Sequence, residues 1–267
     1  MTPLAHRVCL WAGLATAIVF LVGFIPLAGF FPVPTPDWSA ERLTAWMVDH
    51  KVRLQAGCVL MIVGGTLWGM WAAGLTFWTR EPENRYPVLY LLQAIMLGAG
   101  VALFVLATLC WAVASYRAGE ISPEITQTIW DMGWFMFLFT APPFIIWGVW
   151  LALGILWNPP EQQVYPRWSA YMTLALNLSF FPPMLMIFFD AGPVAYNGLL
   201  VLWLPLNEFC AWGIVMTILA FRAIARQEAL QQEWECRAAT FEQHELAAAP
   251  SSARDRTLSQ VEGTRFS

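Results

Sequence analysis

Polar side chains stand in stretches of this chain that are otherwise apolar, among them Gln55, Gln93, Asp131, Asn177, Asn207 and Glu208. A polar group at membrane depth costs free energy unless it faces protein or water, so each such residue is a candidate site by default. Glu208 is the outlier, because the stretch "LPLNEFCAWG" sets a carboxyl near the middle of an apolar run. A carboxyl placed there serves as a polar anchor for a ligand or as a proton carrier. Its bland use is a hydrogen bond to Asn177 or to a backbone carbonyl, which would only lock two helices together. The candidate ligand-binding set is therefore Glu208, Asn207, Asn177, Asp131 and Gln93, with Trp134 as an aromatic wall.

A second group lies between the first two apolar runs. Asp49, His50 and Arg53 would form a rim on the same face as Asp131 and Asp190. One imidazole among carboxylates, without an HxxxH or HxxE spacing, is a weak metal signal. The ordinary outcome is a solvated rim holding an ion pair such as Arg53 with Asp131, and no metal is expected. His6, His50 and His244 all fall outside the apolar runs, which excludes a haem held by two intramembrane histidines. The five cysteines are scattered without CxxC or CxxCH spacing, and four sit in apolar runs as small hydrophobes. No cofactor is expected.

The elements that must position these groups follow from composition. Hydrophobic residues make up 58% of the chain and charged ones 12%, about half the charged share of a soluble domain. Spanning roughly 30 Å of hydrocarbon takes about 20 apolar residues in a helix. Six stretches qualify: Val8 to Phe31, Leu54 to Trp78, Val88 to Tyr116, Thr126 to Trp157, Trp168 to Phe189 and Gly198 to Phe221. The fold expected is all-α, a polytopic membrane protein with six transmembrane helices in one bundle across residues 1–222. A charged helical extension follows over 223–247 and a disordered tail over 248–267. In the extension, Leu230, Trp234 and Phe241 form a narrow stripe that could dock on a protein partner or the membrane surface, while a solvated extension of helix six, which needs no partner, is the favoured reading.

The bundle carries a repeat. "WGMWAAGLTFWTREPENRYP" at Trp68–Pro87 returns without a gap as "WGVWLALGILWNPPEQQVYP" at Trp147–Pro166. Interface chemistry explains Trp78, Tyr86 and their counterparts, since an indole or phenol suits the headgroup depth. It does not explain the recurrence in register of Trp68-Gly69 and Trp71 as Trp147-Gly148 and Trp150, which points to duplication of a hairpin, spans two and three becoming four and five. Trp212-Gly213 adds a third pair in span six. Trp-Gly reads as a bulky plate beside a notch that lets a neighbouring backbone approach.

Prolines at Pro142-Pro143, Pro182-Pro183 and Pro205 interrupt spans four, five and six, and broken helices at membrane depth are tolerated where they line a cavity or pack on protein. Between spans one and two, Ser39 reads as the N-cap of a short amphipathic helix with Leu43, Trp46 and Met47 on one face. Near the helix ends, Arg7, Arg80, Arg85, Arg167, Arg222 and Arg226 fall on one side and Arg42, Lys51, Arg53 and Arg117 on the other. That excess places both termini in the cytoplasm and the protein in the inner, plasma membrane.

Phosphate loops, GxSxG elbows and zinc signatures are absent, and the formal charge of −4 argues against nucleic acid. The expectation is a permease or binding protein for a small apolar or aromatic molecule, surrounded by membrane lipid, with Glu208 as anchor or proton carrier. The alternative is a membrane enzyme, or a subunit anchoring one, that uses Asp49, His50 and Asp131 at the rim.

Overall fold

The computed structural model describes residues 3–79, 88–158 and 164–248, excepting the side chains of 3, 239 and 242–248. Arg80, Arg85, Tyr86 and Pro87, the ring of His244 and the tail beyond 248 lie outside what is described. Among the described residues every regular element is helical, and six helical stretches are long and apolar enough to cross a membrane.

The elements are α1 (Pro3–Val22), α2 (Ala40–Asp49), α3 (Lys51–Thr76), α4 (Val88–Arg117), α5 (Pro123–Trp134), α6 (Pro142–Trp157), α7 (Arg167–Ser179) and α8 (Leu204–Ala248). Long apolar runs without turn residues leave the backbone no option in lipid except to bond within its own segment, which is what α3 and α4 do along their whole length. Starts are capped by serines: Ser39 Oγ, as expected, accepts from Arg42 N at 3.3 Å, and Ser122 Oγ accepts from Ile125 N at 3.5 Å with Pro123 in the first turn.

Helix α2 buries Leu43 and Met47 against the bundle, leaves Glu41 and Arg42 in the open and packs on α5. Hydrogen bonds from its own backbone and from Ser39 hold the Glu41 carboxyl below the usual carboxylate range.

Four of the six long stretches are broken. A π-helical turn at Gly23–Leu27 holds Pro26, and span four loosens into another at Phe135–Phe139 before Pro142 restarts it as α6. Span five continues beyond α7 as a 3-10 run, Pro182–Phe188, and span six opens with a π turn at Leu199–Trp203 just before Pro205. Proline removes a backbone donor and pushes the residue before it out of the helical region, so the irregular backbone falls at or ahead of each proline. Thr140 Oγ1 donates to the Met136 carbonyl at 2.5 Å and so covers one acceptor in the span-four break. The break at Pro26 is one the sequence reading did not anticipate.

Helix α1 lies along α3, α3 along α4, α4 against α5 and α6, and α6 against α7. Near Pro26 the approach is backbone to backbone: a Cβ on Gly57 of α3 would sit 2.6 Å from the Gly23 carbonyl oxygen. The last turn of α3 is closed by side chains. His6 donates from Nε2 to the Gly74 carbonyl at 2.7 Å, Tyr165 OH donates to Leu75 O at 3.1 Å, and Thr79 Oγ1 donates to Thr76 O at 2.7 Å. These are carbonyls a helix end otherwise leaves unpaired. Burial pushes the Tyr165 phenol well above its ordinary range. His6 is thus not outside the first span but buried inside α1, its ring against Phe77 and Trp78.

The chain divides into two compact units, 1–221 and 222–267. In the second, the described helix exposes Leu230, Trp234 and Phe241.

Candidate functional site

The Trp-Gly pairs of α6 and α8 come together with Trp71 of α3, three residues after that helix's own Trp68-Gly69 pair. Trp212 meets Trp71 edge-on at 5.9 Å and Trp147 at 5.7 Å between ring centroids. Each of the three indoles finds a threonine hydroxyl on another helix. Trp71 Nε1 donates to Thr217 Oγ1 of α8 at 2.8 Å, Trp212 Nε1 to Thr173 Oγ1 of α7 at 2.9 Å, and Trp147 Nε1 to Thr76 Oγ1 of α3 at 3.2 Å. Each bond gives a membrane-buried N–H its acceptor and ties two spans.

The glycines of the three Trp-Gly pairs receive different neighbours. A Cβ on Gly69 would touch only Val101, on Gly148 it would strike the Asn177 amide at 2.5 Å, and on Gly213 it would press on the Trp71 ring at 3.2 Å. Trp71 is also seated in Gly13 of α1, where a Cβ would come within 2.1 Å of its Cδ1. The Trp71 plate therefore holds α1 and α8 apart while touching both.

What that separation leaves is a cavity of about 470 Å³, within the range of small-molecule sites. Helix α1 contributes Leu10 to Leu21, α3 contributes Gly65, Trp68 and Trp71, and α4 contributes Phe104. The broken spans supply the rest: Phe137, Leu138 and Ala141 from span four, Phe180 and Pro183 from span five, and Val201 to Phe221 from span six. Three interruptions thus meet at one wall, and the irregular segments pack on one another. No Asp, Glu, Lys, Arg or His is among the lining residues. Their polar atoms are the hydroxyls of Thr16 and Thr217, the indole N–H groups of Trp11, Trp68 and Trp71, and the Cys210 thiol.

The α1 and α8 sides touch through Trp11 and Phe221 at 5.4 Å near one end, and Phe31 meets Trp203 at 5.3 Å near the other. Between those pairs, Leu14, Ile214 and Ile218 both line the cavity and stand exposed on the surface. The opening is therefore lateral, through the apolar flank of the bundle.

None of the polar residues singled out from sequence lines this cavity. Glu208 is exposed, on the face of α8 that also presents Leu204, Asn207 and Ala211; Phe209 and Trp212 take the inward face instead. Asn207 turns its amide back to the Trp203 carbonyl at 2.7 Å. Asn177 is buried and donates to the Ile145 carbonyl of α6 at 3.2 Å, a helix lock made without Glu208. Gln93, fully buried, donates to Thr79 Oγ1 at 2.9 Å and Leu89 O at 3.2 Å beside the closed end of α3.

Trp134 belongs to a filled aromatic core with Phe30, Trp111 and Trp130, stacked on Tyr196 at 5.0 Å and 2°. Asp131 is half-buried nearby, and its charge acts on Tyr196. Burial, chiefly, raises the Tyr196 phenol well above its ordinary range, although its oxygen accepts from Trp130 Nε1 at 3.4 Å.

The rim also differs from its expected form. Arg53 donates from Nη2 to the Pro26 carbonyl at 2.6 Å rather than pairing with Asp131, His50 stacks on Trp46 with Nδ1 2.9 Å from the Trp46 carbonyl, and Asp49 is exposed. Among the described residues no group of three His, Cys, Asp or Glu side chains is placed to hold a metal. The residues missed from sequence are the ring set of the cavity, above all Phe20, Phe104, Phe144 and Phe209, which stand in apolar runs with no local signal to set them apart from other core rings.

Comparison with protein families, with curated proteins and with solved structures finds no match for this chain.

Proposed function

We propose that the protein is a multi-pass membrane protein that binds a small, uncharged, apolar or aromatic molecule taken sideways from the bilayer, as a binding protein or a permease. The observation that carries the reading is the lateral, ring-lined cavity with no ionisable side chain in its wall. Burying an ion there without a partner would be costly, whereas an apolar molecule exchanges lipid for aromatic and aliphatic contacts. The anchor is then shape and ring stacking, with the Thr217 and Trp71 pair as the polar mark. Glu208 has no part in holding this ligand, because it lies off the wall. The arginine bias supports both termini in the cytoplasm and residence in the plasma membrane. The recurrent Trp-Gly pattern supports descent of spans two to five from a duplicated hairpin.

The test is pyrene binding to the purified protein in lipid nanodiscs, read as energy transfer from tryptophan. Wild type is expected to saturate. Ala17→Trp and Ile214→Trp, which project bulk into the slot from α1 and α8, are expected to weaken binding at least about tenfold, equivalent to about 1.4 kcal/mol, with thermal unfolding unchanged. Equal binding by wild type and both variants, or no saturable transfer at all, overturns the reading. Flux of the same probe between vesicle populations then separates a permease from a binding protein.

A further inference from the structure

A carboxylate on the outside of a membrane bundle poses a question that the cavity does not answer. Glu208 stands nine residues after Leu199, where the sixth span opens. At about 1.5 Å per residue that is roughly 13 Å into a hydrocarbon layer of about 30 Å, close to the midplane. Facing acyl chains there, the side chain would have neither water nor a hydrogen-bond donor.

The chain offers no answer from within. Its described Lys and Arg residues nearest the bilayer, Arg7, Lys51, Arg53, Arg117, Arg167 and Arg222, stand towards the ends of the apolar runs and none is near mid-depth. A second copy packed on the same face would bring another Glu208 and another Asn207 and no cation. Asn207 beside it already spends an amide hydrogen on its own helix. One turn along, on the same exposed side, Ala211 is small enough to let another helix approach closely.

We infer that this face of α8 docks a transmembrane helix of a different membrane protein, one carrying a lysine or arginine near mid-membrane depth. Charge complementarity selects that partner, since a basic side chain in lipid has the mirror-image problem and the pair resolves both. The inference does not depend on what the cavity binds. It gives the chain a place as one subunit of a hetero-oligomeric membrane assembly.

The experiment uses the full-length labelled protein in liposomes with a labelled leucine-rich transmembrane peptide of about 20 residues, carrying Lys, Leu or Glu at its centre. Energy transfer is expected to favour the Lys peptide over the Leu peptide by about five- to thirtyfold, the range set by one polar interhelical contact of about 1–2 kcal/mol. Glu208→Leu is expected to abolish the preference while leaving helix content and unfolding temperature intact. Should that variant misfold, the near-isosteric Glu208→Gln carries the test by losing most of the preference. Equal association of the Lys and Leu peptides with wild type overturns the inference, as does a preference that survives Glu208→Leu. So does self-association: photobleaching that counts two copies in wild type and one in Glu208→Leu would give the face to a second copy.

Discussion

Two regions of the bundle are walled by the same kinds of ring and end differently. Near α2, Phe30, Trp111, Trp130 and Trp134 are wholly buried, and each fills the space its neighbours leave. On the α1–α8 side, Phe20, Trp68, Trp71, Phe104, Phe144 and Phe209 stand around a cavity instead. The difference lies in how the helices are spaced. Where α4 and α5 converge, Gly133 admits the Trp111 ring directly, a Cβ there falling 2.4 Å from its Nε1. Helix α8 is not among the tightly packed partners of α1 or α3; wide indoles, Trp71 above all, hold it off. Aromatic content therefore does not mark a site by itself, and a plate wedged between two glycines does more to make one than a polar side chain does.

The comparison breaks most readily at Trp134. Trp134→Ala deletes a fully buried ring and should cost about 3–5 kcal/mol, read in thermal unfolding, whereas Phe209→Ala, at the cavity, should cost clearly less because its ring is only partly enclosed. Equal losses would show that the two walls are packed alike.

Alkali probes the same filled core. The Tyr196 phenol is raised in the folded state, mainly by burial. Its stabilisation is therefore whole below the unfolded phenol value of about 10 and is lost as pH climbs beyond it. Ultraviolet titration should show Tyr196 and Tyr165 ionising last and together with unfolding, and their early ionisation would mean the core is open to water.

A smaller effect sharpens the cavity side. Thr217→Val removes the hydrogen bond between α3 and α8 and should cost about 1 kcal/mol in unfolding, whereas Trp71→Phe loses that bond and part of a buried ring and should cost more, with a double variant scarcely worse than Trp71→Phe alone. Additive losses would show that the two groups act apart. The smallest change belongs to the cap of α2, where Ser39→Ala should cost about 0.5 kcal/mol and slightly loosen the helix that covers the filled core. The Glu41 carboxyl in that turn is held low, so its contribution is present above the unfolded carboxylate value and fades as pH falls.

Span positions, the α2 cap and the proline breaks at three of the four sites were legible in sequence, because length, apolarity and missing backbone donors act locally. The facing of α8 was not. In a span that is apolar all round, hydrophobicity does not say which side meets protein, so Glu208 looked buried when Phe209 and Trp212 had taken that face. Arg53 likewise met a carbonyl freed near Pro26, in a break that fell where no proline pair announced it. Threonine acceptors for the indoles were invisible for a related reason: Thr76, Thr173 and Thr217 sit on other helices, 39 to 146 positions away.

The irregular turns of spans four, five and six, stacked at the cavity, carry a mechanical implication. An unbroken helix in lipid resists bending, since every bond it gives up goes unreplaced. A π turn and a 3-10 run can trade one carbonyl partner for the next with small rotations, one bond at a time. The cavity wall is irregular on that side and unbroken helix on the α3–α4 side, so any change in its width would fall on those three elements before the rest of the unit.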